Sequence, residues 1–127
     1  MAVLIYFLGA MKLKVYEYTK CGTCRKALKF LRDRGVEFTT LPIREQPPAK
    51  TELKKMLQCC GGDVRKLFNT SGLDYRQMNL KSKLPNMTAA EAIALLARNG
   101  NLVKRPFVVT DTGGLVGFQE AQWRELF

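Results

Sequence analysis

The chain has 127 residues, of which 46% are hydrophobic and 25% are charged, a length and composition typical of one globular domain with its own core. Its 21 Lys and Arg against 11 Asp and Glu leave a formal charge of +10. This charge favours anionic partners, which include oxyanions, anionic thiols such as glutathione, acidic protein surfaces and nucleic acid. The alternative is that the basic residues only make the surface soluble. The absence of histidine excludes Cys–His and Ser–His catalytic pairs, imidazole acid–base chemistry and histidine-containing zinc sites.

Residues 1–11 (MAVLIYFLGAM) carry no charged side chain. The segment lacks a basic start, is shorter than a signal peptide and falls short of the ~18 apolar residues of a membrane helix. Three interpretations stay open: a start codon assigned too early with Met11 as the natural start, an extra edge strand or arm, and a targeting remnant. We therefore expect an N-terminal extension at 1–11 and a single domain at 12–127, in a cytoplasmic protein without membrane association.

The first forty residues of this domain predict a strand, a helix and a second strand. Residues 12–18 alternate apolar and polar side chains as a strand does, and a turn at 19–23 leads into a helix over 24–34. Gly35 is a plausible helix stop, and residues 36–43 return as a strand. This order implies a parallel pair of strands joined by a right-handed crossover.

The remainder predicts a helical block over about 50–100, followed by a hairpin and a last helix. Within the block we expect helices at 51–60, 63–68 and 73–78, and a fourth that Thr88 and Glu91 open as a capping box. Strands at 107–110 and 115–118 flank a turn at 111–114, and a helix covers 119–127. The predicted class is α/β with a mixed four-stranded sheet, in the order β-α-β, helical insertion, β-β-α.

The motif Cys21-Gly-Thr-Cys24 lies between the first strand and the first helix. A helix start offers unpaired N–H groups and a positive dipole end, which stabilise a thiolate, and Lys20 and Arg25 add positive charge. Spacing of three residues lets the second sulfur face the first. The motif predicts a nucleophile at Cys21 and a resolving thiol at Cys24. Two ordinary, partly buried cysteines are the alternative.

Cys59 and Cys60 are the other two cysteines. Structural zinc would need both to complete four thiolates, but neighbouring residues on a helix point apart, so we predict no metal site. We interpret the pair as a helix end with one thiol buried and one exposed. A redox role for one of them is the alternative.

From Lys14 to Phe127 the chain resembles the family that joins glutaredoxin-coupled arsenate reductases to Spx-type transcriptional regulators. The matching segments are YTKCGTCRKA (18–27), REQPP (44–48), RKLFN (65–69), KRPFVV (104–109) and GF (117–118). The resemblance implies a thioredoxin-like fold with a helical insertion between the second and third strands. It also implies a cis peptide bond before Pro106, beside the active cysteine.

The same resemblance implies a reaction. In the arsenate reductases the first cysteine of the motif attacks arsenate and the adduct passes to glutathione and glutaredoxin, which assigns the attack to Cys21 and the resolving step to Cys24 or glutathione. Two oxyanion-binding arginines of that family are matched by Arg65 and Arg105, and guanidinium groups bind tetrahedral oxyanions by charge and bidentate hydrogen bonds. A solvated helix charge is the alternative for Arg65. We expect no bound cofactor, glutathione as co-substrate, and glutathione or glutaredoxin as partner.

Two departures from the reductase pattern point to a second function. Gly117-Phe118 stands where the reductases carry a third arginine, and Cys24 stands where they usually have serine. A CxxC pair resembles the Spx-type regulators, which implies a redox sensor that binds the RNA polymerase alpha subunit through a Cys21–Cys24 disulfide switch. We expect no direct nucleic-acid binding, since the chain lacks a helix-turn-helix or RNA-binding aromatic motif and its basic residues are scattered.

Overall fold

The computed structural model describes residues 12–127, and the predicted extension at 1–11 lies outside them. A four-stranded sheet of order β2-β1-β3-β4 organises this part of the chain. Its strands are β1 (Leu13–Glu17), β2 (Phe38–Pro42), β3 (Phe107–Thr110) and β4 (Gly113–Val116). β1 pairs parallel to β2 and antiparallel to β3, and β3 pairs antiparallel to β4. The mixed four-stranded sheet and the thioredoxin-like element order are confirmed.

In the described part of the chain, six α-helices cover the two faces of the sheet. They are α1 (Gly22–Asp33), α2 (Lys50–Cys59), α3 (Leu73–Gln77), α4 (Leu80–Lys83), α5 (Ala89–Arg98) and α6 (Glu120–Leu126), with 3₁₀ turns at Val64–Leu67, Leu84–Asn86 and Gly100–Leu102. Helices α2 to α5 form the block between β2 and β3. Thr88 caps α5 as predicted, since its side chain accepts from the N–H of Glu91 while the Glu91 carboxylate accepts from the N–H of Thr88.

Several predicted boundaries were wrong. Helix α1 begins at Gly22, two residues before the predicted start. The short helix predicted to begin at Asp63 is capped by Asp63, but it is a 3₁₀ helix that ends at Leu67. The hairpin turn is shorter than predicted because Thr110 pairs directly with Gly113. Helix α4 and the 3₁₀ turns at 84–86 and 100–102 were not predicted, since segments of three or four residues are too short to show a helical period.

The sheet separates two cores, because successive strand residues point to opposite faces. Leu13 and Val15 face α1 and α6, where they pack with Leu31 and Trp123. Tyr16 points the other way, into the core under the helical block. Each side chain of leucine size that is fully buried contributes about 1.5–3 kcal/mol. The two cores therefore hold the end of β1 firmly between α1 and the helical block.

Close backbone contacts bind the helical block to the sheet. A Cβ at Gly100 would lie 1.7 Å from the carbonyl oxygen of Ile43, so only glycine allows this approach. The 3₁₀ turn at 64–67 contacts the chain that enters β3, since the N–H of Lys104 donates to the carbonyl of Leu67. These contacts hold the segment before β3 against the 3₁₀ turn at 64–67 and the chain that leaves β2.

Candidate functional site

Cys21 lies at the amino end of α1, where the chain leaves β1. Its N–H donates to the Tyr18 carbonyl at 2.9 Å, which closes the turn between strand and helix. Cys21 is the N-cap residue, and its Sγ accepts from the N–H of Cys24 at 3.3 Å. The first turn of the twelve-residue helix holds no acidic side chain. The half-exposed sulfur therefore meets a free helix N–H group and the positive end of the helix dipole.

Cys24 lies one turn further on and is fully buried. Burial raises the pKa of its thiol to about 12, the hydrogen bond with the Tyr18 backbone opposes that rise, and Cys21 and Glu17 add to it. The two sulfurs of the motif thus have unlike surroundings, one open to ligands and one sealed against the sheet. The predicted nearness of Cys21 and Cys24 is confirmed, whereas their catalytic roles stay predictions.

Glu17, which the sequence reasoning did not single out, lies beneath this helix start. It shares a strand face with Leu13 and Val15, and this face packs against α1. Within residues 12–127 it is the only buried charged residue, and burial raises the pKa of its carboxyl. Its negative charge also contributes to the raised pKa of Cys24. An acidic residue at an inward strand position was the signal that could have identified it.

Arg105 contacts Tyr18, which lies three residues before Cys21 in the chain. Phe107 pairs with Tyr16 in the antiparallel register, so the residues before β3 run alongside the residues after β1. The guanidinium carbon of Arg105 is 5.0 Å from the centroid of the Tyr18 ring. Its Nη1 atom is buried and has no hydrogen-bond partner in the described part of the chain. The Arg105–Pro106 peptide bond is cis, as the resemblance implied.

Arg44 contacts the same tyrosine. Its guanidinium carbon is 4.8 Å from the Tyr18 ring centroid, and its Nη1 donates to the Tyr18 hydroxyl at 2.9 Å. The sequence analysis used this stretch only as a segment that matches the family pattern and gave Arg44 no role. The sequence signal for Arg44 was its place directly after β2, a strand parallel to β1. The carboxyl ends of parallel strands meet at one edge of a sheet, so a residue after β2 is expected to lie near the residues that follow β1.

Arg65 lies in the block between β2 and β3. It is exposed in the 3₁₀ turn at 64–67 and lines a cavity of about 520 Å³ together with Cys59 and Cys60. It also lines a second cavity under α4, and neither cavity is lined by Cys21 or Arg105. The assignment of Arg65 to the anion site therefore stays a prediction. Lys20 and Arg25 are exposed on either side of the Cys21 loop, and their supporting role likewise stays a prediction.

Phe118, in place of the third arginine of the reductases, has a structural role. Its half-buried ring packs edge-on against Trp123 at 4.8 Å and Phe30 at 5.7 Å between centroids. These contacts join α1 to α6. The residue belongs to the aromatic core behind α1 and supplies no charge to the site.

The remaining cysteines lie at the end of α2. Cys59 is exposed as predicted, but Cys60 is half-buried rather than buried, and burial raises the pKa of its thiol. Within residues 12–127, no three Cys, Asp or Glu side chains are grouped to hold a metal ion. None of the helices in that range is both long and apolar enough to span a bilayer.

Comparisons with known proteins agree with this architecture. The sequence model of the ArsC family matches residues 16–126. The uncharacterized protein YusI of Bacillus subtilis (strain 168) is 49% identical over 115 residues, which are 91% of this chain and 98% of YusI. The crystal structure of an ArsC family related protein from Bacteroides fragilis superposes with a TM-score of 0.86 at 47% identity, covering 93% of this chain and 99% of that one.

Relatives with a stated function are more distant. An arsenate reductase of Escherichia coli is 32% identical over 101 residues, which are 80% of this chain and 70% of that enzyme. The regulatory protein MgsR of Bacillus subtilis (strain 168) is 25% identical over 115 residues, which are 91% of this chain and 90% of MgsR. The relatives of this chain therefore include an arsenate reductase and a regulatory protein.

Proposed function

Because the chain belongs to the ArsC family, we propose that it is a thiol-dependent reductase in which Cys21 attacks an oxyanion or a disulfide. The observation that carries this proposal is the contrast between the two sulfurs of the motif. Cys21 is accessible at a helix start, whereas Cys24 is sealed and held as a thiol. An exposed nucleophile next to a protected second thiol is the arrangement that thiol–disulfide exchange requires.

In this proposal Arg105 binds the anion and Cys24 or glutathione resolves the intermediate. A guanidinium at the nucleophile attracts an anionic substrate and stabilises it with hydrogen bonds. The unpartnered Nη1 of Arg105 has a free donor for that purpose. Glutathione would be the co-substrate, and glutathione or glutaredoxin would return the cysteines to the reduced state. A glutathione-linked reaction with free thiols fits a protein of the cytoplasm.

The test is reduction of arsenate and of a small disulfide with glutathione and glutaredoxin. Cys21→Ser should abolish turnover of both, whereas Cys59→Ser, which removes an exposed thiol outside the motif, should leave turnover within about twofold of the wild type. Cys24→Ser separates the two resolving routes, since it stops turnover only if Cys24 resolves the intermediate. Turnover by Cys21→Ser equal to that of the wild type would refute the proposal.

A second candidate function is a redox-sensing regulator that binds the RNA polymerase alpha subunit. The CxxC pair and the similarity to MgsR over nine-tenths of both chains favour it. A Cys21–Cys24 disulfide would then switch binding. The discriminating measurement is pull-down of the carboxyl-terminal domain of that subunit by the reduced and the peroxide-oxidised protein. Binding by neither form excludes the regulator.

A further inference from the structure

The cavity of about 520 Å³ at the end of α2 carries an excess of positive charge. It is lined by the end of α2, the 3₁₀ turn that follows, β4 and the start of α6, and we call it the α2–β4 cavity. Three of its lining residues are basic, namely Arg65, Lys66 and Lys104, against one acidic residue, Asp63. Within residues 12–127 no ion pair includes any of the three. Like charges around one cavity repel each other, and a bound anion removes that cost.

Backbone contacts hold Lys104 in this cavity. A Cβ at Gly117 would lie 2.9 Å from the Lys104 Cε atom, so the lysine side chain crosses the backbone of a residue that leaves it room. Gly117 is buried and has a φ of +72°, which glycine adopts without strain. The Lys104 N–H donates to the Leu67 carbonyl at 2.8 Å, which ties it to the 3₁₀ turn that carries the other two basic residues. The backbone therefore brings all three to one cavity.

The uncharged lining of the α2–β4 cavity constrains the ligand further. A Cβ at Gly113 would lie 2.7 Å from the Cys59 sulfur, so the end of α2 lies directly against the backbone of β4. The lining also includes apolar side chains and amides: Met56, Phe68, Leu115, Gln119 and Gln122. A volume of about 520 Å³ lies in the range of small-molecule sites and exceeds the volume of a bare oxyanion. Apolar groups and amides beside the cations suit an anion that also carries a ring and hydrogen-bonding groups.

We propose that the α2–β4 cavity binds a phosphorylated small molecule of nucleotide size, of which a nucleoside diphosphate is the chemical type. Its phosphate groups contact Lys66 and Lys104, and its ring contacts the apolar lining. Phosphate oxygens accept charge-assisted hydrogen bonds from lysine and arginine, and two phosphate groups match a cavity with several unpaired cations. Neither Cys21 nor Arg105 lines this cavity, so the binding is independent of the proposed reductase function.

Titration calorimetry with the full, reduced chain measures the affinity for ADP, GDP and UDP. The tightest of them is compared with its nucleoside, which has the ring alone, and with pyrophosphate, which has the charge alone. We expect a nucleotide Kd below about 1 mM and binding of each half-probe at least about fivefold weaker. Lys66→Gln and Lys104→Gln should each weaken nucleotide binding about fivefold, the effect of one exposed ion pair. Lys54→Gln is the matched control, because it removes an exposed charge of α2 outside the cavity lining, and it should change the Kd less than about 1.5-fold.

Alkylation by iodoacetamide locates the bound nucleotide. Cys59 lines the cavity, whereas the half-exposed Cys21 lies outside its lining. A saturating concentration of the nucleotide should slow modification of Cys59 about threefold or more and leave the rate at Cys21 within about 1.5-fold, because reaction requires access to the sulfur. Protection of Cys21 in place of Cys59 would place the ligand at the motif and overturn the inference.

Three calorimetric results would also overturn it. They are a Kd above about 1 mM for all three nucleotides, an affinity that does not change in either lysine variant, and binding of pyrophosphate as tight as that of the nucleotide. A drop in Lys54→Gln equal to that in Lys104→Gln would show that only the overall charge of the protein matters, and it contradicts a site in the cavity as well.

Discussion

The contrast between the two sulfurs of the motif can be measured directly. We expect Cys24 to resist alkylation in the folded, reduced protein, because burial raises the pKa of its thiol from 9.0 to about 12. Each pKa unit corresponds to a tenfold change, so the thiolate fraction at neutral pH falls about a thousandfold. Its full burial adds a second barrier, since the reagent must wait for local opening. Iodoacetamide should therefore modify Cys24 at least about a hundredfold more slowly than Cys59, an exposed thiol.

The assay is limiting alkylation followed by fragment spectra of the tryptic peptide that holds Cys21 and Cys24. Labelling in denaturant is the control, since Cys24 and Cys59 should then react within about threefold of each other. In Cys21→Ser the slow labelling of Cys24 should persist, because burial is the largest cause of its raised pKa and Cys21 adds less. Labelling of Cys24 within tenfold of Cys59 in the folded protein would refute the reasoning.

Three further outcomes are expected. Closure of the Cys21–Cys24 disulfide from a mixed disulfide at Cys21 should accelerate about tenfold per pH unit between about pH 7 and 10, because the pKa of Cys24 is raised to about 12. Quenched-flow mass spectrometry measures the rate of closure, and a rate that does not change with pH contradicts this prediction. Glu52→Gln should cost about 1–3 kcal/mol of unfolding free energy at pH 7, measured by urea titration. Burial raises the pKa of Glu52, but hydrogen bonds from Lys14 and Tyr16 outweigh it and hold that pKa below 4.5, so the cost should fade as the pH falls below 4.5 and the wild-type carboxylate also protonates. Gly100→Ala should cost about 3 kcal/mol by thermal denaturation, because its Cβ meets the backbone, whereas Gly22→Ala, with open space around it, should cost less than about 1 kcal/mol.

Local patterns predicted much of the fold correctly. The capping box at Thr88 and Glu91 sets the start of α5, and alternation around Leu13 and Val15 identifies β1, because both signals lie within a few residues of chain. The start of α1 was misplaced because Cys21 caps a helix with its sulfur, a weaker sign than a serine or aspartate. Short helices such as α4 are stabilised by packing rather than by a pattern of their own.

The sequence by itself determined the chemistry available to this protein: no imidazole, a basic surface, and a Cys21–Cys24 pair at the junction of a strand and a helix. It assigned Arg105 to the site only through the resemblance, and it gave Arg44 no role. Only the tertiary structure brings Arg44 and Arg105, which are 61 residues apart in sequence, onto one Tyr18 ring, because this contact depends on the pairing of β1 with both β2 and β3. The structure likewise places Arg65 with Cys59 and Cys60, since a charge on a short surface turn carries no signal of the direction in which it points.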